Sequence, residues 1–371
     1  MPLPSRAIIA AAGSGKTKRL IDEALADPSK RVLITTYTRE NFREIESRLW
    51  RAGSALEHGV TVMTWFEFLL RDGIKPYQGY KTDIDRIRSI NFTVRRQQTP
   101  SLRFVPRTNF DGYFLNSDSD VYHDVVSDLA CLLDVESGGK VIARLAACYD
   151  MILVDEMQDL AGHDLDLLER LMSAGVPLLL VGDPRQAVYS TNSSARYRQY
   201  RRSGIVKWLE DQERAGRLSV ASITDCYRCS QDICDFADSL YPDLPSTTSV
   251  NPPTVDDTGV HLVDPADLKA YRALYAPQEL RWSKSTAVDC ETVLNFGQVK
   301  GASFDRVLIH ATGPMTKYIQ SGSDLADEAR AKLYVAATRA RHSVAIIPKR
   351  RMNSAALQYW SPPGSGGEAS L

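Results

Sequence analysis

Ala12, Gly13, Ser14, Gly15, Lys16 and Thr17 follow one another near the start of the chain. Two glycines let a backbone turn sharply and aim successive N–H groups at one anion, and a lysine with an adjacent hydroxyl suits phosphate oxygens and a hard cation. In this reading Lys16 reaches the terminal phosphates and Thr17 holds Mg2+. The general pattern begins with glycine, whereas Ala10 stands there. A lysine in a glycine-rich surface turn would look the same, so a second signal is needed.

That signal is the apolar run 151–154 followed by Asp155 and Glu156. Carboxylates at the end of a buried parallel strand sit where ligands bind in open α/β sheets. Asp155 would bind the metal, directly or through water, and Glu156 would orient and deprotonate an attacking water. Together the two tracts point to a nucleoside triphosphate hydrolase using Mg2+.

The elements that must position these groups alternate. Short apolar runs at 7–10, 32–36, 60–63, 151–154 and 177–181 are separated by helical stretches, predicting a parallel sheet with covering helices. From 72 to 145 the pattern degrades into a polar stretch rich in Arg and Asp, read as a small insertion, partly helical near 121–134. A second α/β region is predicted from 204 to 349, with strands at 218–222, 259–263, 286–289, 305–310 and 343–347. The first domain then comprises 1–71 and 146–203, and 350–371 reads as a flexible tail.

Composition agrees with two domains: 371 residues, 43% hydrophobic and 25% charged. No apolar run is long enough to span a membrane and no export signal is evident, which gives a cytoplasmic expectation. The net charge of −1 excludes a wholesale basic protein but not a local basic groove. Arg196, Arg198, Arg201, Arg202 and Lys207, interleaved with Tyr197, Tyr200 and Trp208, read either as a nucleic-acid-facing surface or as a solvated helix face. Cys226, Cys229, Cys234 and Cys290 read either as a four-thiolate zinc site or, since their spacing is irregular, preferably as reduced packing thiols. The six histidines form no ligand pattern.

Further motifs follow in a fixed order. They are Thr36-Tyr37-Thr38-Arg39-Glu40-Asn41, Val62-Met63-Thr64-Trp65-Phe66, Asp155-Glu156-Met157-Gln158-Asp159 and Gly182-Asp183-Pro184-Arg185-Gln186-Ala187-Val188-Tyr189. Cys226-Tyr227-Arg228-Cys229, Lys300-Gly301-Ala302-Ser303 and Tyr334-Val335-Ala336-Ala337-Thr338-Arg339-Ala340 complete the series. In this order the set resembles the UvrD/Rep-like branch of superfamily 1 helicases. The resemblance implies two RecA-like domains in tandem, with ATP hydrolysed in the cleft between them to drive stepping along single-stranded DNA, usually 3′ to 5′. It implies that Gln186 senses the γ-phosphate, that Arg228 and Arg339 are arginine fingers, and that Tyr227 stacks on the base. For the DNA strand it implies Tyr37, Thr38, Asn41, Thr64, Trp65, Phe66, Tyr189 and Lys300, although Trp65 and Phe66 suit burial beneath a helix at 66–71 equally well.

Four departures stand out. No glutamine motif precedes the loop, which implies loose base selectivity. Thr191 stands where the family places a base-stacking aromatic, and Ser303 where it places an acid. Arg228 and Lys300 are only about 70 positions apart, too few for the family's large accessory subdomain. Two readings follow: an ATP-dependent DNA translocase or helicase, or a DNA- or nucleotide-sensing ATPase subunit that controls a partner nuclease. Short chains of the second kind resemble helicase-like subunits of anti-phage systems.

Overall fold

The computed structural model describes residues 5–52, 59–82, 86–192, 194–252, 255 and 258–363. They form two units, the first comprising Met1–Ile9, Lys16–Pro184 and Tyr189–Ser222, and the second Ala10–Gly15, Arg185–Val188 and Ile223–Leu371. The α/β organisation with two parallel sheets is as expected. Among the described residues, no helix is long and apolar enough to cross a membrane.

In the first unit β1 (Ser5–Ala10) leads to α1 (Lys16–Leu25), β2 (Val32–Thr36), α2 (Arg39–Arg51), β3 (Val60–Thr64) and the short α3 (Trp65–Phe68). Two-residue strands β4 (Ile90–Asn91) and β5 (Val121–Tyr122) flank the brief turns α4 (Pro100–Arg103) and α5 (Phe110–Phe114). Then come α6 (Val126–Glu136), α7 (Lys140–Cys148), β6 (Met151–Asp155), α8 (His163–Ser173), β7 (Leu178–Gly182), α9 (Ile205–Arg214) and β8 (Leu218–Ile223). The main sheet has the order β3-β2-β6-β7-β1-β8. Strands β6 and β7 are buried at every position, as central strands covered on both faces must be. Ile9 pairs with Gly182 and Asp155 with Val181, so β1, β7 and β6 deliver their carboxyl ends to one edge of the sheet.

The first unit differs from the expected first domain at its C-terminal boundary. Residues 204–222 belong to the first unit rather than opening the second. Strand β8 covers the edge of β1, and Glu169 on α8 accepts hydrogen bonds from Trp208 Nε1 (2.9 Å) and Gln212 Nε2 (3.0 Å) of α9. The insertion expected at 72–145 lies within the first unit and contributes to its core. Val126, Leu129, Ala130 and Leu133 of α6 lie in the first unit's main core, and Asp134 pairs with Arg170 of α8 at 2.7 Å.

In the second unit β9 (Asp225–Cys226) pairs with β10 (Thr248–Ser249), and α10 (Gln231–Ser239) lies between them in sequence. A five-stranded parallel sheet follows from β11 (Gly259–Leu262), β12 (Gln278–Arg281), β13 (Leu294–Asn295), β14 (Phe304–His310) and β15 (Ala340–Ile347), in the order β11-β15-β14-β12-β13. Its helices are α11 (Leu268–Tyr275), α12 (Gly313–Ser321) and α13 (Asp327–Ala337). The strand expected at 286–289 is absent. Its place beside β14 is taken by β12, whose Leu280 is fully buried, and Thr286 N donates to Ser283 O in a turn. The flexible tail expected from 350 is not seen at 359–360, where Tyr359 bridges to Leu262 and Trp360 packs edge-on against Tyr271. Residues 364–371, which hold most of the glycine-rich end of that tail, lie outside the described residues.

One buried charge cluster fixes β12 to its neighbours. Glu279 accepts from Arg272 Nε (2.7 Å) and Nη2 (2.9 Å) and pairs with His310 Nε2 at 2.7 Å. Burial would raise this carboxyl, but His310 and Arg272 pull it from the ordinary 4.5 down to about 2. A depressed folded-state value means that this stabilisation is complete above the unfolded value and is lost as pH falls toward 2. Glu279→Gln should lower stability near neutrality by roughly 1–3 kcal/mol and flatten the loss of Tm between about pH 4.5 and 2. Thermal melts of both proteins across that window check this, and parallel Tm-versus-pH curves would refute it.

Candidate nucleotide site and nucleic-acid interface

Within the second unit the loop Ala10–Gly15 is held by backbone contacts. Ala11 N donates to Ile223 O (3.0 Å), Tyr227 N to Gly13 O (2.9 Å), and Ala12 N to the Tyr334 hydroxyl (3.3 Å). Gly13 and Gly15 adopt φ of 76° and 77°, a region that disfavours side chains. They differ in space. A Cβ on Gly13 would come within 2.7 Å of Arg228 Cβ and 2.9 Å of Cys226 Sγ, whereas one on Gly15 would meet nothing. The Ser14 hydroxyl is buried and, among the described residues, has no hydrogen-bond partner. A turned loop of this kind that carries an unsatisfied hydroxyl into the ten-residue α1 fits a phosphate group.

In the first unit, Asp155 and Glu156 end β6 and are both buried. Glu156 adopts φ 57° and ψ 44°, a left-handed conformation that costs a non-glycine residue about 1 kcal/mol or more. Gln158 stabilises the turn from both sides: its Nε2 donates to Glu156 Oε2, and its Oε1 accepts from Asp183 N at 3.0 Å. A Cβ on Gly182 would lie 2.2 Å from Gln158 Oε1. The sequence reading assigned Gln158 no role, and only its place two residues after Glu156 could have suggested one. Among the described residues no group of three or more His, Cys, Asp or Glu side chains is arranged around a metal. The donors available for Mg2+ are the Thr17 hydroxyl and the Asp155 carboxylate, hard oxygens of the kind Mg2+ takes in ones and twos beside water and phosphate.

The arginines read as fingers lie in the second unit. Arg339 is buried, and its Nη2 donates to Gln186 Oε1 at 3.0 Å. Its Nε and Nη1 donate to the carbonyls of Val335 (3.2 Å) and Ala302 (3.3 Å). Arg228 Nη1 donates to Thr338 O at 3.0 Å, so Arg228 is anchored on the residue that immediately precedes Arg339. Tyr227 is 61% exposed, as a base-stacking ring would be. Cys229 Sγ donates to the same Thr338 carbonyl at 3.5 Å. Thiol hydrogen bonds from Cys229 and Cys234 hold the Cys226 thiol low, and Cys229 and Cys234 are pushed up in return. Two further residues escaped the sequence reading. Tyr334 caps the loop, and Arg185, buried, donates to Pro245 O at 2.6 Å.

The residues matched to a DNA strand separate into groups. Tyr37 and Tyr189 are half-buried, with ring centroids 6.2 Å apart, and Tyr37 tilts against Phe66 at 5.9 Å. Thr38 caps α2 by accepting from Asn41 N (3.1 Å), and Thr64 caps α3 by accepting from Glu67 N (3.2 Å). Lys300 follows a one-turn helix at Phe296–Val299 and is half-buried. Trp65 does not offer a stacking face: it is 1% exposed, and its indole N–H donates to Asp164 at 2.7 Å. Phe66 is largely buried as well. Thr191 is buried and also donates to Asp164. Asp164 is fully enclosed, and burial raises its pKa against the pull of Thr191, Ala161, Trp65 and Ser127. In the basic run, Arg196 is paired with Asp166, and the Tyr200 hydroxyl donates to Asp211 at 2.6 Å.

With this geometry in place, comparison with known proteins gives the following. Residues 110–198 match the family model of the UvrD/REP helicase N-terminal domain. No match was found among curated proteins. Among solved structures, the arterivirus nonstructural protein 10 helicase is 13% identical, with 92% of this chain and 59% of that one covered and a TM-score of 0.47. The same protein in complex with DNA gives 14%, 92%, 60% and 0.47. A methylated PRRSV nsp10 helicase gives 16%, 92%, 53% and 0.24. The chain thus spans about 60% or less of the length of these viral proteins. The match at residues 110–198, which include β6, β7 and the Gln158 turn, makes that part of the chain similar to the UvrD/REP helicase N-terminal domain.

Proposed function

We propose that this protein is an ATP-dependent translocase of the superfamily 1 helicase type that moves along single-stranded DNA. The observation that carries the reading is the second unit's linked set: Gly13 against Tyr227 and Arg228, and Arg339 on Gln186. It joins a phosphate loop, a base-stacking ring, two guanidiniums and an amide sensor by direct contacts.

Bound ATP with Mg2+ supplies the phosphoryl group whose transfer to water drives the cycle. Lys16 and the loop amides hold the phosphates, while Thr17 and Asp155 offer oxygens to the cation. Glu156 accepts the proton of the attacking water, and Gln158 keeps its carboxylate aimed. Arg228 and Arg339 neutralise charge that develops in the transition state. Tyr37 and Tyr189 provide ring faces for bases and Lys300 a cation for the backbone.

A second reading has one observation in its favour. Trp65 and Thr191 are both committed to Asp164, which leaves fewer rings for gripping a strand. This suits an ATPase subunit that senses DNA or nucleotide and controls a partner such as a nuclease without unwinding. A tailed-duplex strand-displacement assay separates the two: ATP turnover without strand separation selects the regulatory role.

Lys16→Ala and Glu156→Gln should each lower ATP turnover by about 100-fold or more. Undiminished hydrolysis in a clean preparation would sink the site. Wild-type turnover should rise with single-stranded DNA, and the stimulation should fade with salt.

The two loop glycines should separate as well. Gly13→Ala should cost about 1–3 kcal/mol and abolish nucleotide binding, because strain and a backbone-level clash combine. Gly15→Ala meets only the strain and should retain measurable binding. Melting curves with and without ATP read both effects, and equal behaviour of the two variants would contradict the close approach at Gly13.

A further inference from the structure

The segment 86–95 carries none of the ordered motifs and precedes the family match at 110–198. In it, Phe92 is 56% exposed, although it is anchored on three sides. Strands β4 and β5 run parallel with Ile90 beside Val121 and Asn91 beside Tyr122, so the next residues, Phe92 and His123, face each other. Their rings stack with centroids 6.0 Å apart and an interplanar angle of 27°. Phe66 meets the Phe92 ring edge-on at 5.3 Å. Asn91 Oδ1 accepts from Thr93 N (3.0 Å) and Val94 N (2.9 Å), which closes the turn after the ring. An exposed ring held this firmly loses little further freedom on meeting a ligand.

Phe92 also ends a row of rings in the first unit. Tyr189, Tyr37, Phe66 and Phe92 follow one another at 6.2, 5.9 and 5.3 Å. Arg88 and Arg95 flank Phe92 in sequence, both exposed, and among the described residues neither enters an ion pair. Arg88 lies four residues before the ring, about 13 Å along an extended chain. Fixed aromatic faces beside exposed guanidiniums are what single-stranded nucleic acid requires, rings for bases and cations for phosphates. A protein partner's apolar side chain would gain nothing from the two arginines.

We propose that Phe92, backed by His123 and flanked by Arg88 and Arg95, is a stacking platform for a base of single-stranded DNA. It supplies the base contact that the buried Thr191 does not. The inference rests on the DNA-translocase reading and extends it to a segment that the ordered motifs do not reach.

Fluorescence anisotropy of a labelled oligothymidylate, titrated with the full chain at several salt concentrations, tests it. Phe92→Ala should weaken binding by about 5- to 150-fold, the worth of one stacked base. Phe92→Tyr should restore most of the affinity. Trp50→Ala, which removes a still more exposed ring from α2, should leave affinity unchanged. Arg88→Gln and Arg95→Gln should each reduce the slope of log affinity against log salt by about 0.7.

If the wild type binds and Phe92→Ala binds equally well, the platform is overturned while the translocase reading stands. An equal loss in Trp50→Ala overturns it too, since the effect would then be unspecific. Loss of self-association in Phe92→Ala with DNA binding intact would assign the ring to a second copy of the chain instead. A wild type that binds no oligonucleotide at any salt removes the DNA reading and the platform with it.

Discussion

Gly13 has no side chain, and the arrangement of the second unit depends on that. Its backbone lies where a Cβ would be 2.7 Å from Arg228 Cβ, so loop and strand meet backbone to backbone. Such an approach lets Tyr227 N reach Gly13 O and places Arg228 to donate to Thr338 O. Thr338 immediately precedes Arg339, which in turn donates to Gln186. The loop, the exposed Tyr227 ring and both arginines are therefore linked by hydrogen bonds near 3 Å. Hydrogen bonds of that length tolerate little displacement before they weaken. A side chain at position 13 would break the first link, and every later one is referenced to it.

Burial of polar groups imposes the corresponding constraint on the first unit. Asp164 is enclosed, and an enclosed carboxyl must be surrounded by donors. It takes them from Trp65 Nε1, Thr191 Oγ1, Asn192 Nδ2 and Ala161 N. Thr191 is thus no simple loss of an aromatic, since its hydroxyl is one of the donors that satisfy the enclosed carboxyl. Trp65 is drawn inward by the same group. A single buried acid accounts for the fate of two positions that the family resemblance assigned to DNA.

Much of the fold was legible because buried parallel strands announce themselves as short apolar runs. Strands β1, β2, β3, β6, β7, β14 and β15 were read to within a few residues for this reason. Strand β12 was not, since Gln278 and Glu279 break its apolar character and Glu279 is tolerated inside only through Arg272 and His310. The membership of α9 and β8 was hidden for a different reason. It depends on hydrogen bonds to Glu169 and on an open edge of β1, neither of which leaves a local pattern. The loop and the acidic turn were legible because their chemistry is contiguous. Gln158, Tyr334 and Asp164 were not, because each acts on groups distant in sequence.

The basic run at 196–207 shows why composition alone misplaces a binding surface. Its first arginine is held by Asp166, whose carboxyl stays at about 2 through His163 and Arg196 despite the opposing effect of burial. That guanidinium orders the loop, and its charge is largely answered inside the protein. Arg201 donates to Ser194 O, so its orientation too is fixed by the loop itself. Arg88 and Arg95 are fewer and attract less notice in the sequence, yet among the described residues neither is met by an acid, and both flank an exposed, immobilised ring. For a strand of phosphates, the relevant quantity is the charge left uncompensated at the surface. By that measure the short ribbon before residue 96 outweighs Arg196, however basic the later run looks.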